Sequence, residues 1–227
     1  MIPNVTAPPL FSGAFEAHVT VRATPPRPLS PSPETEALAR YAAAHGMAFV
    51  DIVLDRGRTP HQPMLTLRKS GALPAAQEAV EDTGRRLRAA GFDVARTKIE
   101  ASPWADGVPD TDEAATALGA RYYFEHHVKL LLTPGADTSA LARLAVAHTA
   151  HLSRNARRLR ADGRAERFVT QRCRLVGRRT AGERLDALVA ELRRTGHEVA
   201  SVEREFVVHD SDESLDDGWI TEERTAA

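Results

Sequence analysis

Two short stretches carry the residue types that acid–base chemistry uses, at matching places. One is Phe15-Glu16-Ala17-His18-Val19-Thr20-Val21; the other is Phe124-Glu125-His126-His127-Val128-Lys129-Leu130. Laid over one another they pair Glu16 with Glu125 and His18 with His127. A histidine titrates near neutral pH, and a neighbouring carboxylate can orient it or share its proton, which is what general acid–base catalysis requires. Both stretches alternate as strands with one buried face. Phe15, Ala17, Val19 and Val21 share one side, and Glu16, His18 and Thr20 the other. In the second copy Glu125, His127 and Lys129 share the polar side, while His126 turns away as a packed core histidine.

The elements that must position these strands recur in one order. After a first strand over 14–22, the proline-rich 23–31 is a loop. Ser32 caps a helix begun by Pro33 and ended at Gly46, with Leu38, Tyr41 and Ala42 on its buried face. Strands follow over 47–54, with Val50, Ile52 and Leu54 toward the core, and over 62–69. A second helix runs from Pro74 to Gly91, and a fourth strand spans 92–101. The series then repeats: a strand over 122–132, a helix over 138–149, strands over 154–160 and 167–176, a helix over 182–195 and a strand over 199–208. Leu185, Leu188, Val189 and Leu192 face the core from the last helix.

Strand, helix, strand, strand, helix, strand is the order of a ferredoxin-like unit. The expected fold is α+β, a tandem duplication of that unit forming a pseudo-dimeric, barrel-like body. Its parts are an extended N-terminal arm (1–13), a first repeat (14–101), a linker (102–121), a second repeat (122–208) and an acidic, mobile tail (209–227). The linker is helical around 112–118, and Trp219 and Ile220 are the tail residues able to dock.

In such a unit the last strand lies antiparallel beside the first. Lys98 and Glu100 then approach Glu16 and His18, and Glu203 and Glu205 approach Glu125 and His127. If the polar faces meet, they enclose one site between the repeats. His18 and His127 act there as an acid–base pair with Glu16 and Glu125, and Thr20, Lys98 and Lys129 bind an anionic small molecule, phosphorylated ones included. The same alternation is also what a solvated antiparallel sheet shows, so a non-catalytic binding or scaffold protein stands as a further reading.

Three resemblances bear on the chemistry. His18-Val19-Thr20-Val21 resembles the His-x-Thr-x signature of the 2H phosphoesterases, two-lobed enzymes in which one histidine is base and the other acid. It implies a phosphate held by Thr20; the second copy places Lys129 where the hydroxyl stands, and lysine holds phosphate as a point charge. A histidine on the first strand and a glutamate on the last strand of two modules is similar to the vicinal-oxygen-chelate metalloenzymes. That likeness implies a divalent zinc, iron or manganese ion on His18, Glu100, His127 and Glu205, although those modules lack a helix before the last strand. Glu125, His127 and Lys129 are similar to the Glu-x-Glu-x-Lys strand of triphosphate tunnel enzymes, with histidine in the middle place. The leading reading requires no cofactor.

Among its 227 residues the chain has 42% hydrophobic and 27% charged residues and a net charge of −1, so its balance favours neither DNA nor an anionic membrane. The single cysteine, Cys173, allows no internal disulfide and fits the cytoplasm. The segment 154–179 is rich in arginine and could bind a polyanion such as RNA, but it lacks the interleaved aromatics that stack bases, and pairing with the acidic tail or a polyanionic small molecule is at least as good a reading. His61, His148 and His151 read as loop or helix-end residues. P-loop, dinucleotide-binding and nucleophile-elbow patterns are missing from the sequence.

Overall fold

The computed structural model describes residues 9–24, 32–133, 135–156 and 160–220. Among them the first half forms β1 (Ser12–Val21), α1 (Pro33–Ala44), β2 (Ala48–Leu54), β3 (His61–Ala72), α2 (Leu73–Ala89) and β4 (Val94–Ala101). The second half follows α3 (Asp112–Leu118) with β5 (Tyr123–Leu132), α4 (Ser139–Ala147), β6 (Ala150–Asn155), β7 (Ala165–Arg174), α5 (Arg178–Arg194) and β8 (Glu198–Asp210). A 3-10 turn, Glu213–Asp216, comes last.

Local chemistry explains the element ends. The Ser32 hydroxyl accepts a hydrogen bond from the Thr35 amide, and Pro33 opens α1 where no amide hydrogen is needed. Gly46 takes φ of 63° just past the helix, a conformation that costs a residue without a side chain little.

The eight strands form one antiparallel sheet in the order β1-β3-β2-β6-β7-β5-β8-β4, and β4 also pairs with β1, so the ladder returns to its start. Within the first half the order is β2-β3-β1-β4; within the second it is β6-β7-β5-β8. Ladders β2·β6 and β4·β8 join the halves. The helices cover the outer face. Leu38, Val80 and Leu87 pack there with Val19, Leu65 and Ile99, and Leu141, Leu185, Leu188 and Leu192 pack with Val128 and Val169. Among the described residues no helix is long and apolar enough to cross a membrane.

Several expectations need correction. The stripe Val50, Ile52 and Leu54 lines the interior of the sheet rather than the helix side, where Phe49 packs instead. Strand β6 lies over Ala150–Asn155, earlier than 154–160, because Ala150 and Leu152 are the side chains that join the core beneath α4. His151 is therefore a buried strand residue, not a helix-end one, and His61 is a buried strand residue whose Nε2 lies 2.7 Å from Asp51 Oδ1. The tail, expected to be mobile with Trp219 and Ile220 able to dock, is docked as far as residue 220: Asp216 and Trp219 are buried, and the Trp219 indole donates to the Leu152 carbonyl at 2.8 Å. At the other end Phe11 packs on Tyr122 and Phe206, so the arm is anchored before β1 begins. The expected loop at 25–31, the arm at 1–8 and the tail end at 221–227 fall outside the described residues.

Candidate functional site

The inner face of the sheet surrounds a cavity of about 340 Å³ lined by both His18 and His127. Antiparallel register puts them there, His18 opposite Thr66 and Lys98, His127 opposite Thr170 and Glu203. Each histidine has the same surroundings. His18 Nδ1 lies 3.0 Å from Thr66 Oγ1, and His127 Nδ1 lies 3.0 Å from Thr170 Oγ1. His18 Nε2 lies 3.0 Å from Glu100, and His127 Nε2 lies 3.3 Å from Glu205 and 3.4 Å from Glu125. Two residues before each histidine a glutamate accepts from an arginine on the next strand, Arg68 to Glu16 at 2.9 Å and Arg172 to Glu125 at 2.5 Å.

The two ends differ in cover. Arg68 is 84% exposed and Arg172 only 3%. The docked tail makes the difference. Asp216 accepts from Arg172 at 2.6 Å, from Arg96 at 2.9 Å and from Gln62 at 3.0 Å, closing the end at Glu125 and leaving that at Glu16 open. Arg96 also chelates Asp210.

Lys98 links the two clusters, with its ammonium 2.6 Å from Glu100 and 2.5 Å from Glu125. Thr66, His18, Glu100, Lys98, Glu125, His127 and Thr170 thus form one run of alternating partners across the cavity. Burial alone would lower the His127 pKa, but its bonds to Glu125 and Glu205 outweigh this and raise it to about 10. His18 is raised by the same contest, with Glu100 as the partner. Burial would raise Glu125, yet Arg172 and Lys98 hold it well below the usual carboxylate range. Burial and the Glu100 charge push Glu205 upward. His127 therefore stays charged at neutral pH, with a proton-hungry carboxyl beside it.

Lys129 and Thr20 also line the cavity. The Lys129 ammonium lies over the Phe168 ring, 5.3 Å from its centroid. Lys129 has no carboxylate partner among the described residues, whereas Arg68, Arg96, Lys98 and Arg172 each have one. His126 faces away from His127, and burial lowers its pKa to about 4. The proposed metal set splits into two pairs, His18 with Glu100 and His127 with Glu205. The donors that do converge, within 4.8 Å of one another, belong to Glu100, Glu125 and His127. Lys98 puts its ammonium against both of those carboxylates, where a metal cation would sit. Of the arginine-rich segment, Arg172 and Arg174 pair with the tail residues Asp216 and Glu213, and Arg160, Arg164 and Arg178 with other carboxylates.

Sequence reasoning missed Thr66, Thr170, Arg172 and Asp216. Thr66 had one available signal, falling with Gln62 and Arg68 on the polar side of its strand. No family model matches the chain, and no curated protein matches it.

Proposed function

We propose that the chain is a tandem duplication of a ferredoxin-like unit, with repeats over 14–101 and 122–208 closed into a pseudo-dimeric barrel, and that its interior is the acid–base site of an enzyme for an anionic small molecule. The equal strand order in the two halves and the matched threonine, glutamate and arginine partners support the duplication. The observation that carries the catalytic reading is the placement of two histidines at equivalent points in one cavity, each fixed at Nδ1 by a threonine and at Nε2 by carboxylate. A charged His127 is the acid and an anchor for the substrate anion. His18, when its Nε2 exchanges Glu100 for substrate, is the base. Glu205, with its raised pKa, takes or returns a proton beside His127. Lys129 and Thr20 hold the anion, and the cytoplasm is the setting that fits one buried cysteine.

Turnover of 4-nitrophenyl phosphate and bis(4-nitrophenyl) phosphate by the wild type, His18→Gln and His127→Gln tests this. Both variants lose activity while remaining folded by circular dichroism, and the double variant is scarcely less active than either single, as for residues acting as a unit. Full activity in both single variants sinks the histidine pair. Inert wild type removes phosphoesters from the substrate class.

The convergence of Glu100, Glu125 and His127 favours one second reading, a divalent metal enzyme. In it a metal ion displaces the Lys98 ammonium. Stoichiometric zinc, iron or manganese in the purified protein, with activity lost to chelator, would establish it against the metal-free reading.

A further inference from the structure

Charge is spread unevenly over the interior: Arg68 on β3 and Arg172 on β7 lie toward its ends, and between them one wall is apolar. In ring order the consecutive strands β5, β8, β4 and β1 carry the two histidines, Lys98, Lys129 and the glutamates Glu100 and Glu205. Across from them β2, flanked by β3 and β6, gives the cavity three aliphatic side chains, Val50, Ile52 and Leu54, and no charge. Its acid, Asp51, points the other way, to His61. Met64 on β3 and Phe168 on β7 extend this apolar wall. None of the five belongs to either hydrophobic core beneath the helices. They have core composition without core packing, and a ligand is what apolar surface held open in a cavity can bury.

We infer that the ligand is an amphipathic anion: an apolar body against Val50, Ile52, Leu54, Met64 and Phe168, and an anionic head at Lys129 and His127. This rests on the acid–base reading only for the location of the chemistry. Lys129 decides the sign of the head, as a lining cation that, among the described residues, meets an aromatic ring and no carboxylate. The cavity volume of about 340 Å³ lies toward the small end of the roughly 300–1,000 Å³ range of small-molecule sites, so the body is short or folded.

Calorimetric titration with hexanoate, heptanoate and octanoate tests the inference. Affinity should rise about fourfold per added methylene, and inorganic phosphate and octyltrimethylammonium should bind at least tenfold more weakly than octanoate. Ile52→Asn should weaken octanoate about tenfold or more and flatten the chain-length series; Lys129→Met should weaken octanoate while sparing octanol. Equal affinity along the series, or octyltrimethylammonium binding as tightly as octanoate, overturns the proposal. So does octanoate binding unchanged in both variants, which would put it elsewhere on the surface. Octanoate offers no phosphoester to cleave, so its binding reports on ligand class alone. Turnover retained by both histidine variants, with octanoate binding intact, would defeat the catalytic reading and leave this one standing.

Discussion

Lys98 and Glu125 belong to different halves of the chain, and their side chains meet at 2.5 Å across the intervening β8. That contact makes one electrostatic unit out of two histidine clusters. Lys98 is nearly buried and its second partner is Glu100, so two buried carboxylates share one ammonium, beside Arg172 at Glu125 and His18 at Glu100.

Replacing Lys98 with Met should therefore cost about 3–5 kcal/mol, the scale for stranding buried charge. Adding Glu125→Gln to that variant should recover part of the loss. Urea unfolding gives both values. A loss under about 1 kcal/mol for the single change would mean the carboxylates find water instead.

Alkaline pH should destabilise the protein through its histidines. An unfolded histidine titrates near about 6.5, whereas His127 is raised to about 10 and His18 is raised too. Groups that hold protons more tightly when folded stabilise fully below the unfolded value and lose that effect as pH climbs through the folded one. The melting temperature should fall from about pH 7 to about pH 10, and His127→Gln should flatten that limb. A wild-type curve level across this window contradicts a charged His127.

The tail can be released by one substitution. Asp216→Ala removes a carboxylate shared by Arg96 and Arg172 and should cost about 1–3 kcal/mol. In a Trp104→Phe background, which removes the 67% exposed tryptophan, Trp219 fluorescence should move to the red. Emission that stays where it was means the indole bond to Leu152 holds the tail unaided.

Beneath α5, Leu188 is fully buried, so Leu188→Ala should cost about 2–5 kcal/mol by chemical denaturation. A change below about 0.5 kcal/mol would show the helix packed on another face.

The order of elements within each half was legible because its signals are local. Period-two alternation marks β1 and β5, Ser32-Pro33 starts α1, and Gly46, Gly91 and Gly196 follow three helix ends. Antiparallel adjacency then brings Glu100 to His18 and Glu205 to His127. The apolar wall was not legible. Strand β2 is apolar on both sides, with Phe49 alternating with Val50 and Val53 with Leu54, so alternation cannot say which side meets the helices. The tail was legible only at Trp219, its acidic composition otherwise suiting a solvated segment. Its anchor, Asp216, finds Arg96 at a separation of 120 residues and Arg172 at 44, and no local pattern signals such partners.

Asp216 and Trp219 cover the end at Arg172, whereas Arg68 stays exposed, so among the described residues the cavity is more open at the Glu16 end. If the proposed site turns over a ligand, traffic through that open end would be two-way: whatever is released leaves by the route the next molecule uses to arrive. A product that lingers at the Glu16 end bars its successor, so product inhibition should be competitive, and its strength should follow how well the released molecule still fits between Lys129 and the wall of β2.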